Sequence, residues 1–148
     1  MKSTAQRIDP VKQVAQQKEK SAANTLTQSQ QKFGSAQTKL HELIQYRADY
    51  VSEFQHKAKK GMQGSQLQHY KAFLGQLDKA ISAQQQQIEL LKSQLDQDKH
   101  NWQQTNHRSK MVSNYQAKVA QKENDAKQKR DGRALEDDYN NSRYSKSG

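Results

Sequence analysis

The sequence predicts an all-α protein, folded as a long antiparallel two-helix coiled-coil hairpin with a stalk-like form. Hydrophobic residues make up 31% of the 148-residue chain, well below the roughly 45–50% of an ordinary globular domain. A seam between two long helices needs little apolar material, because a two-stranded coil uses only about two apolar positions in seven. The single proline and six glycines also leave few turns from which a sheet could be built.

The first helix is predicted over about residues 9–57. Asp9 is a suitable N-cap, and Pro10 suits the first helical position, where its missing N–H costs nothing. Two consecutive four-residue steps around Ala22 and Leu26 indicate a stutter in an otherwise regular alternation of three and four. The predicted seam positions are Ile8, Val11, Ala15, Lys18, Ala22, Leu26, Ser29, Phe33, Ala36, Leu40, Leu43, Arg47, Tyr50 and Phe54.

The second helix is predicted over about residues 66–131, after a glycine-containing turn at about 58–65. Ser65 and Gln68 have the spacing of a capping box. From Leu67 to Ala126 the three-four alternation is unbroken, as in a coiled coil. Folding the chain at the turn pairs positions whose numbers sum to roughly 123–125. The polar residues 132–148 are predicted to be a disordered tail of this single coiled-coil domain.

No residue is predicted to be catalytic or to ligate a metal, and no cofactor is expected. The chain has no cysteine, and its five histidines are scattered along the predicted helices. Gly61 and Gly64 lack the Lys-Ser/Thr pair of a phosphate-binding loop, and a two-helix coil offers no enclosed pocket. The apolar runs are too short for a membrane span. We therefore expect a non-enzymatic, cytoplasmic protein.

An aromatic stripe near the turn is a candidate partner site. Its residues are wider than two helices can bury, so part of the stripe is expected to face solvent. The alternative is that the extra aromatic side chains thicken the coil or pair two hairpins. The candidate residues are Leu43, Tyr46, Tyr50, Phe73, Leu77 and Ala80.

The end of the second helix is a candidate site for an acidic partner, since the chain has a net charge of +10. A solvated helix end is an equally good interpretation, and a nucleic-acid-binding coiled coil is a further alternative. So is a homo-oligomeric structural coil. The basic residues concerned are Lys118, Lys122, Lys127, Lys129, Arg130 and Arg133.

Two segments resemble the FliJ family of bacterial flagellar type III export proteins. They are LIQYRADY at residues 43–50 and YKAFLGQLDKAI at residues 70–81, and Trp102 also agrees with the family. Lys39 and Gln84 depart from it, where a Gln and a His are usual. The resemblance is specific over about residues 40–102.

The resemblance implies a coiled-coil stalk with several partners. These are the hexameric flagellar export ATPase, the cytoplasmic domain of the membrane export gate, and export chaperones, with no nucleic acid. It implies that the aromatic stripe contacts the gate and that the basic end contacts the ATPase ring. It also implies a place on the cytoplasmic face of the inner membrane at the flagellar base, and a role in flagellum assembly, motility and chemotaxis.

Overall fold

Two long α-helices packed against each other account for almost all of the described chain. The computed structural model describes residues 2–146, which form α1 (Thr4–Lys59) and α2 (Gly64–Lys146). Contacts such as the stacking of Phe54 on Tyr70 join the end of one helix to the start of the other. The all-α hairpin predicted from the sequence is therefore confirmed.

The packing divides the hairpin into two compact units. The terminal unit comprises Met1–Lys20 with Gln103–Gly148, and the turn unit comprises Ser21–Trp102. Each unit contains one stretch of α1 and one of α2. Each can therefore be understood from the contacts that its own two stretches make.

The N-terminus of α1 lies earlier than the sequence predicted. The prediction placed the N-cap at Asp9, but α1 already includes Pro10 in its interior. Ser3 is the cap, because its hydroxyl accepts the Gln6 N–H at 3.2 Å while the Gln6 side chain accepts the Ser3 N–H at 3.0 Å. This reciprocal capping box satisfies two backbone donors at the helix start. It thus supports helix ahead of the proline.

Side chains of α2 complete the helix start within the terminal unit. The Glu123 carboxylate accepts the backbone N–H groups of Thr4 and Ala5 at 2.8 and 3.4 Å. A negative charge at a helix N-terminus is also favoured by the helix dipole. The Gln116 amide donates to the Ala5 carbonyl at 2.9 Å and to the Asp9 carboxylate. The start of α1 is therefore fixed by tertiary contacts that local sequence does not reveal.

The turn lies where the sequence predicted it, but its capping residues differ. Gly61 has a φ of 94°, a conformation that glycine adopts without steric cost. The Gln63 N–H donates to the Gln66 side chain at 3.3 Å. The predicted capping box at Ser65 and Gln68 is wrong, because α2 begins before Ser65 and its cap lies two residues earlier.

The seam of α1 is continuous, and the predicted stutter is wrong. Lys12 and Glu19 are half-buried, whereas Val11 and Lys18 are exposed. The steps consequently alternate three and four without interruption. The seam of α1 consists of Ala5, Ile8, Lys12, Ala15, Glu19, Ala22, Leu26, Ser29, Phe33, Ala36, Leu40, Leu43, Arg47, Tyr50 and Phe54.

Hydrophobic burial in this seam is thin. Trp102 is half-buried, as the predicted seam position requires. Small alanine side chains let the helices approach closely, and polar seam residues such as Lys12 and Ser29 interrupt the narrow apolar contact between them. Among the described residues, the buried hydrophobic ones are Ala15, Ala22, Ala36 and Leu77.

Polar seam residues of the turn unit are paired across the two helices. The buried Ser29 hydroxyl donates to the Asp98 carboxylate. The Gln84 amide donates to the Ala36 carbonyl at 3.0 Å. Polar groups taken out of water need such partners, since an unpaired one costs about 1–3 kcal/mol. These two hydrogen bonds therefore favour one register of α1 against α2.

The end of α2 extends beyond the predicted boundary. The sequence predicted the helix to end near residue 131 and a disordered tail over 132–148, but α2 continues to Lys146. Every residue from 124 to 144 is exposed. Lys, Arg, Ala and Glu are good helix formers, and Gly132 opposes helix by only about 1 kcal/mol. The last two residues of the predicted tail, 147 and 148, lie outside the described residues.

Glu19 is the centre of a polar cluster in the terminal unit. It accepts hydrogen bonds from Ser109, which is buried, and from the Asn106 amide at 2.9 Å. These hydrogen bonds lower the pKa of Glu19 below its ordinary value, and the one from Ser109 has the larger effect. The positive charge of Lys110 lowers the pKa slightly further. The ionised carboxylate is therefore the form that this seam accommodates.

Acid should weaken the hairpin partly through Glu19. Because the pKa of Glu19 is lower in the folded state, its ionised carboxylate stabilises the fold at pH values above the pKa of glutamate in an unfolded chain, about 4.3. This contribution is lost as the pH falls through the pKa of Glu19 in the folded state. We expect Glu19→Gln to reduce the loss of unfolding free energy between about pH 6 and pH 3. Urea unfolding followed by circular dichroism measures the unfolding free energy at each pH. Glu89→Gln is the control, because Glu89 is exposed. An equal reduction in both variants would contradict the prediction.

Candidate interaction surfaces

Five aromatic rings form one cluster next to the turn, within the turn unit. Phe54 stacks on Tyr70 with ring centroids 3.5 Å apart, and Tyr50 stacks on Tyr70 at 5.1 Å. Phe73 lies 4.7 Å from Tyr50 and meets the edge of Tyr46 at 6.1 Å. Such pairs contribute about 0.5–1.5 kcal/mol each beyond the area they bury. The aromatic cluster thus joins α1 to α2 and extends from the seam to the surface.

Only part of the predicted stripe is on the surface. Tyr46 is 52% exposed and Ala80 is exposed, but Leu77 is buried with 7% exposure and belongs to the core. The remaining three predicted residues, Leu43, Tyr50 and Phe73, are half-buried. The structure brings Tyr46, Tyr50 and Phe73 into ring contact. The surface that a partner can reach is accordingly centred on Tyr46.

The neighbours of Tyr46 in the chain do not all share its side of the seam. Ile44 is 46% exposed, but it directly follows the seam residue Leu43 and therefore lies on the opposite side of the seam from Tyr46. Next to Tyr46, the Arg47 guanidinium meets the Asp78 carboxylate of the other helix at 2.5 Å. This hydrogen bond is the main reason that the pKa of Arg47 is raised, and the negative charge of Asp78 raises it further. We use the name Tyr46 surface for Tyr46 and Phe73, which both directly precede seam residues and therefore lie on one side of the helix pair.

The predicted basic residues are all exposed on α2. They lie in the terminal unit, between residues 118 and 133, where six basic residues accompany three acidic ones. One of the three acids, Glu123, already binds the start of α1. Another, Asp125, accepts a hydrogen bond from Gln121 at 3.0 Å. The basic residues are Lys118, Lys122, Lys127, Lys129, Arg130 and Arg133.

Four exposed apolar side chains of the terminal unit escaped the sequence analysis. Val11, Val14, Met111 and Tyr115 are 50%, 54%, 57% and 61% exposed. Each directly precedes a seam residue, and in an antiparallel helix pair these positions share one side. Val11 was expected in the seam because it is apolar. Extending the three-four alternation back from Phe33 would have assigned Lys12 instead.

The same side of the terminal unit carries several basic side chains. Lys118 and Lys122, both from the predicted basic set, also directly precede seam residues. Arg7, Lys18 and Arg108 do so as well. We use the name apolar-basic face for Val11, Val14, Met111 and Tyr115 together with these five cations.

Metal-binding clusters and membrane-spanning stretches are absent from residues 2–146. No group of three or more His, Asp or Glu side chains in this range is arranged to hold a metal ion. In the same range, neither helix contains a stretch apolar enough to cross a membrane.

Comparison with known proteins identifies the family. The family model described as flagellar FliJ protein matches residues 4–148. The chain belongs to the FliJ family. Searches of curated proteins and of solved structures gave no match.

Family membership gives the aromatic and basic surfaces a biological setting. FliJ family members are structural, chaperone-like components of the flagellar protein-export apparatus. The resemblance seen in residues 43–50 and 70–81 is thus confirmed over almost the whole chain. Those two segments supply four of the five rings of the aromatic cluster, namely Tyr46, Tyr50, Tyr70 and Phe73.

The aromatic cluster should contribute strongly to the stability of this FliJ family member. Tyr50 contacts two rings and is half-buried, so Tyr50→Ala should lower the unfolding free energy by about 2–4 kcal/mol. Tyr115→Ala is the control, because loss of an exposed side chain should change the unfolding free energy by less than about 0.5 kcal/mol. Urea unfolding measures both values. Similar costs in the two variants would contradict a structural role for the cluster.

Proposed function

We propose that this chain is a non-enzymatic coupling component of the flagellar export apparatus. It links the hexameric export ATPase to the cytoplasmic domain of the membrane export gate and assists the delivery of chaperones and their substrates. It would work in the cytoplasm, at the membrane face of the flagellar base. Family membership supports the setting. The observation that carries the two-partner proposal is the presence of one distinct surface in each unit of the hairpin.

The Tyr46 surface is the proposed gate contact. Tyr46 exposes 52% of its surface although its ring is held against Phe73. An aromatic side chain that is already held in place loses little conformational freedom on binding, which favours affinity. Tyrosine is also enriched among the residues that dominate interface energies. Phe73, which Tyr50 contacts in turn, supports the Tyr46 ring. The buried Leu77 acts only through packing.

The terminal unit is the proposed ATPase contact. Its apolar-basic face combines apolar area, which stabilises a complex, with positive charge that accelerates association with an acidic partner. The predicted basic residues from 127 to 133 extend the charge along the part of α2 whose residues are all exposed. This combination fits an acidic, partly apolar surface on the ATPase ring.

Coupling would rely on movement being passed along paired helices. The three-four alternation of α1 has no interruption between Ala5 and Phe54. Local bending of a coiled coil is expected at insertions in this alternation. Nucleotide-driven movements of the ring would therefore be passed along the paired helices of the terminal unit with little local bending.

Loss of the Tyr46 side chain should weaken gate binding. We expect Tyr46→Ala to raise the dissociation constant for the gate cytoplasmic domain by about 30-fold, as for an interface hot spot. Tyr46 has one ring contact, with Phe73, so helicity should not change and the unfolding free energy should fall by no more than about 1.5 kcal/mol. Isothermal titration calorimetry measures the affinity, and circular dichroism measures the helicity.

Tyr115→Ala is the matched control, since Tyr115 is another exposed tyrosine that lies in the terminal unit. It should leave gate binding unchanged. The proposal for the gate contact fails if Tyr46→Ala binds the gate as the wild type does. It also fails if both variants lose the same affinity.

Removing three positive charges from the terminal unit should weaken ATPase binding. The combined substitutions Lys118→Gln, Lys122→Gln and Lys129→Gln should cost about tenfold in affinity, at 0.2–1 kcal/mol per exposed charge. The remaining binding should depend less steeply on salt. Surface plasmon resonance with nuclease-treated ATPase measures affinity and association rate.

The matched control removes the same charge from the turn unit through Lys59→Gln, Lys60→Gln and Lys71→Gln. ATPase binding should then stay close to the wild-type value. Equal losses in the two triple variants would mean that only total charge matters. Unchanged ATPase binding in the terminal-unit variant, with loss of affinity for nucleic acid, would favour a nucleic-acid-binding coil instead.

A further inference from the structure

The turn between α1 and α2 carries positive charge and no acidic residue. From residue 54 to residue 77 the sequence contains no Asp and no Glu. All basic residues of this segment other than histidine are lysines, and all of them are exposed. They are Lys57, Lys59, Lys60 and Lys71.

The two carboxylates that border this segment already have cationic partners. Glu53 forms an ion pair with Lys57 at 3.1 Å. Asp78 forms one with Arg47 at 2.5 Å. Neither is therefore free to neutralise the charges of Lys59, Lys60 and Lys71. The turn thus presents at least three uncompensated positive charges.

Apolar side chains lie among these charges. Met62 is half-buried in the turn itself, and Leu67 in the first turns of α2 is 37% exposed. An open hollow next to Met62 is lined by the stacked rings of Phe54 and Tyr70 and by Lys60. The turn therefore combines lysine ammonium groups with apolar side chains.

We propose that this turn binds the anionic phospholipid headgroups of a membrane surface. A lysine ammonium is a compact charge that binds phosphate without the fixed bidentate geometry of arginine. A cationic segment without acidic residues suits a uniformly anionic surface, which attracts each nearby lysine. Lysine stems place their charge at the headgroups while an apolar residue such as Met62 enters the boundary with the acyl chains. The membrane contact would be peripheral and independent of the proposed ATPase and gate contacts.

Vesicle sedimentation tests this proposal with the full chain. We expect binding to phosphatidylglycerol-containing vesicles at about 0.1 M salt and much weaker binding to phosphatidylcholine vesicles. The substitutions Lys59→Gln, Lys60→Gln and Lys71→Gln should together reduce binding about 100-fold, at about fivefold per lysine. The control Lys32→Gln, Lys92→Gln and Lys99→Gln removes the same charge from exposed positions away from the turn and from the proposed ATPase and gate contacts, and it should bind like the wild type.

A fluorescent label locates the contact, because the chain contains no cysteine. Met62→Cys and Gln128→Cys would each carry the same environment-sensitive fluorophore. Emission should shift to shorter wavelength on anionic vesicles only for the label at position 62. The proposal is overturned by no binding to anionic vesicles, by equal losses in the two triple variants, or by a shift at position 128 alone.

Discussion

The pairing of polar seam residues across the two helices is the constraint on which the rest of the structure depends. In the terminal unit Glu19 accepts hydrogen bonds from Ser109 and Asn106. In the turn unit Ser29 donates to Asp98. A seam of apolar residues alone would tolerate a shift by one heptad, whereas polar seam residues specify the register. A shifted register would leave these groups half-buried without partners, at about 1–3 kcal/mol each.

This register decides which side chains are available to partners. It places Tyr50 against both Tyr70 and Phe73, so the space beside the seam is filled and Tyr46 remains at the surface. In the terminal unit the same alternation assigns Lys12 to the seam and leaves Val11 at the surface. The Tyr46 surface and the apolar-basic face are therefore two consequences of one packing pattern. They differ in chemistry, since one is aromatic and the other combines apolar and basic groups.

Much of the fold could be predicted from the spacing of apolar residues. The heptads of α2 gave its seam, and folding the chain at the turn predicted the contact between Phe54 and Tyr70, which the structure contains. The errors arose where tertiary contacts overrode local preference. Pro10 indicated a helix start, but Ser3 caps the helix earlier, with help from Glu123 of α2.

The candidate surfaces could be predicted less completely, for a related reason. Tyr46 could be predicted because the aromatic stripe is wider than a two-helix seam. The sequence does not separate the exposed Tyr46 from the buried Leu77, since both lie at helical spacing in the same stripe. Val11 was expected in the seam because a charged residue such as Lys12 is a poor local candidate for partial burial. Lysine nevertheless fits there, because its long stem packs while its charge reaches water.

The central claim is that one hairpin holds two partners at once through separate surfaces. The most direct test is sedimentation-velocity ultracentrifugation of the chain with the export ATPase and the gate cytoplasmic domain, separately and together. The account predicts a complex of all three, with the affinity for the gate domain unchanged when the chain is already saturated with ATPase. Displacement of the ATPase by the gate domain would contradict it, because the two partners would then share one surface.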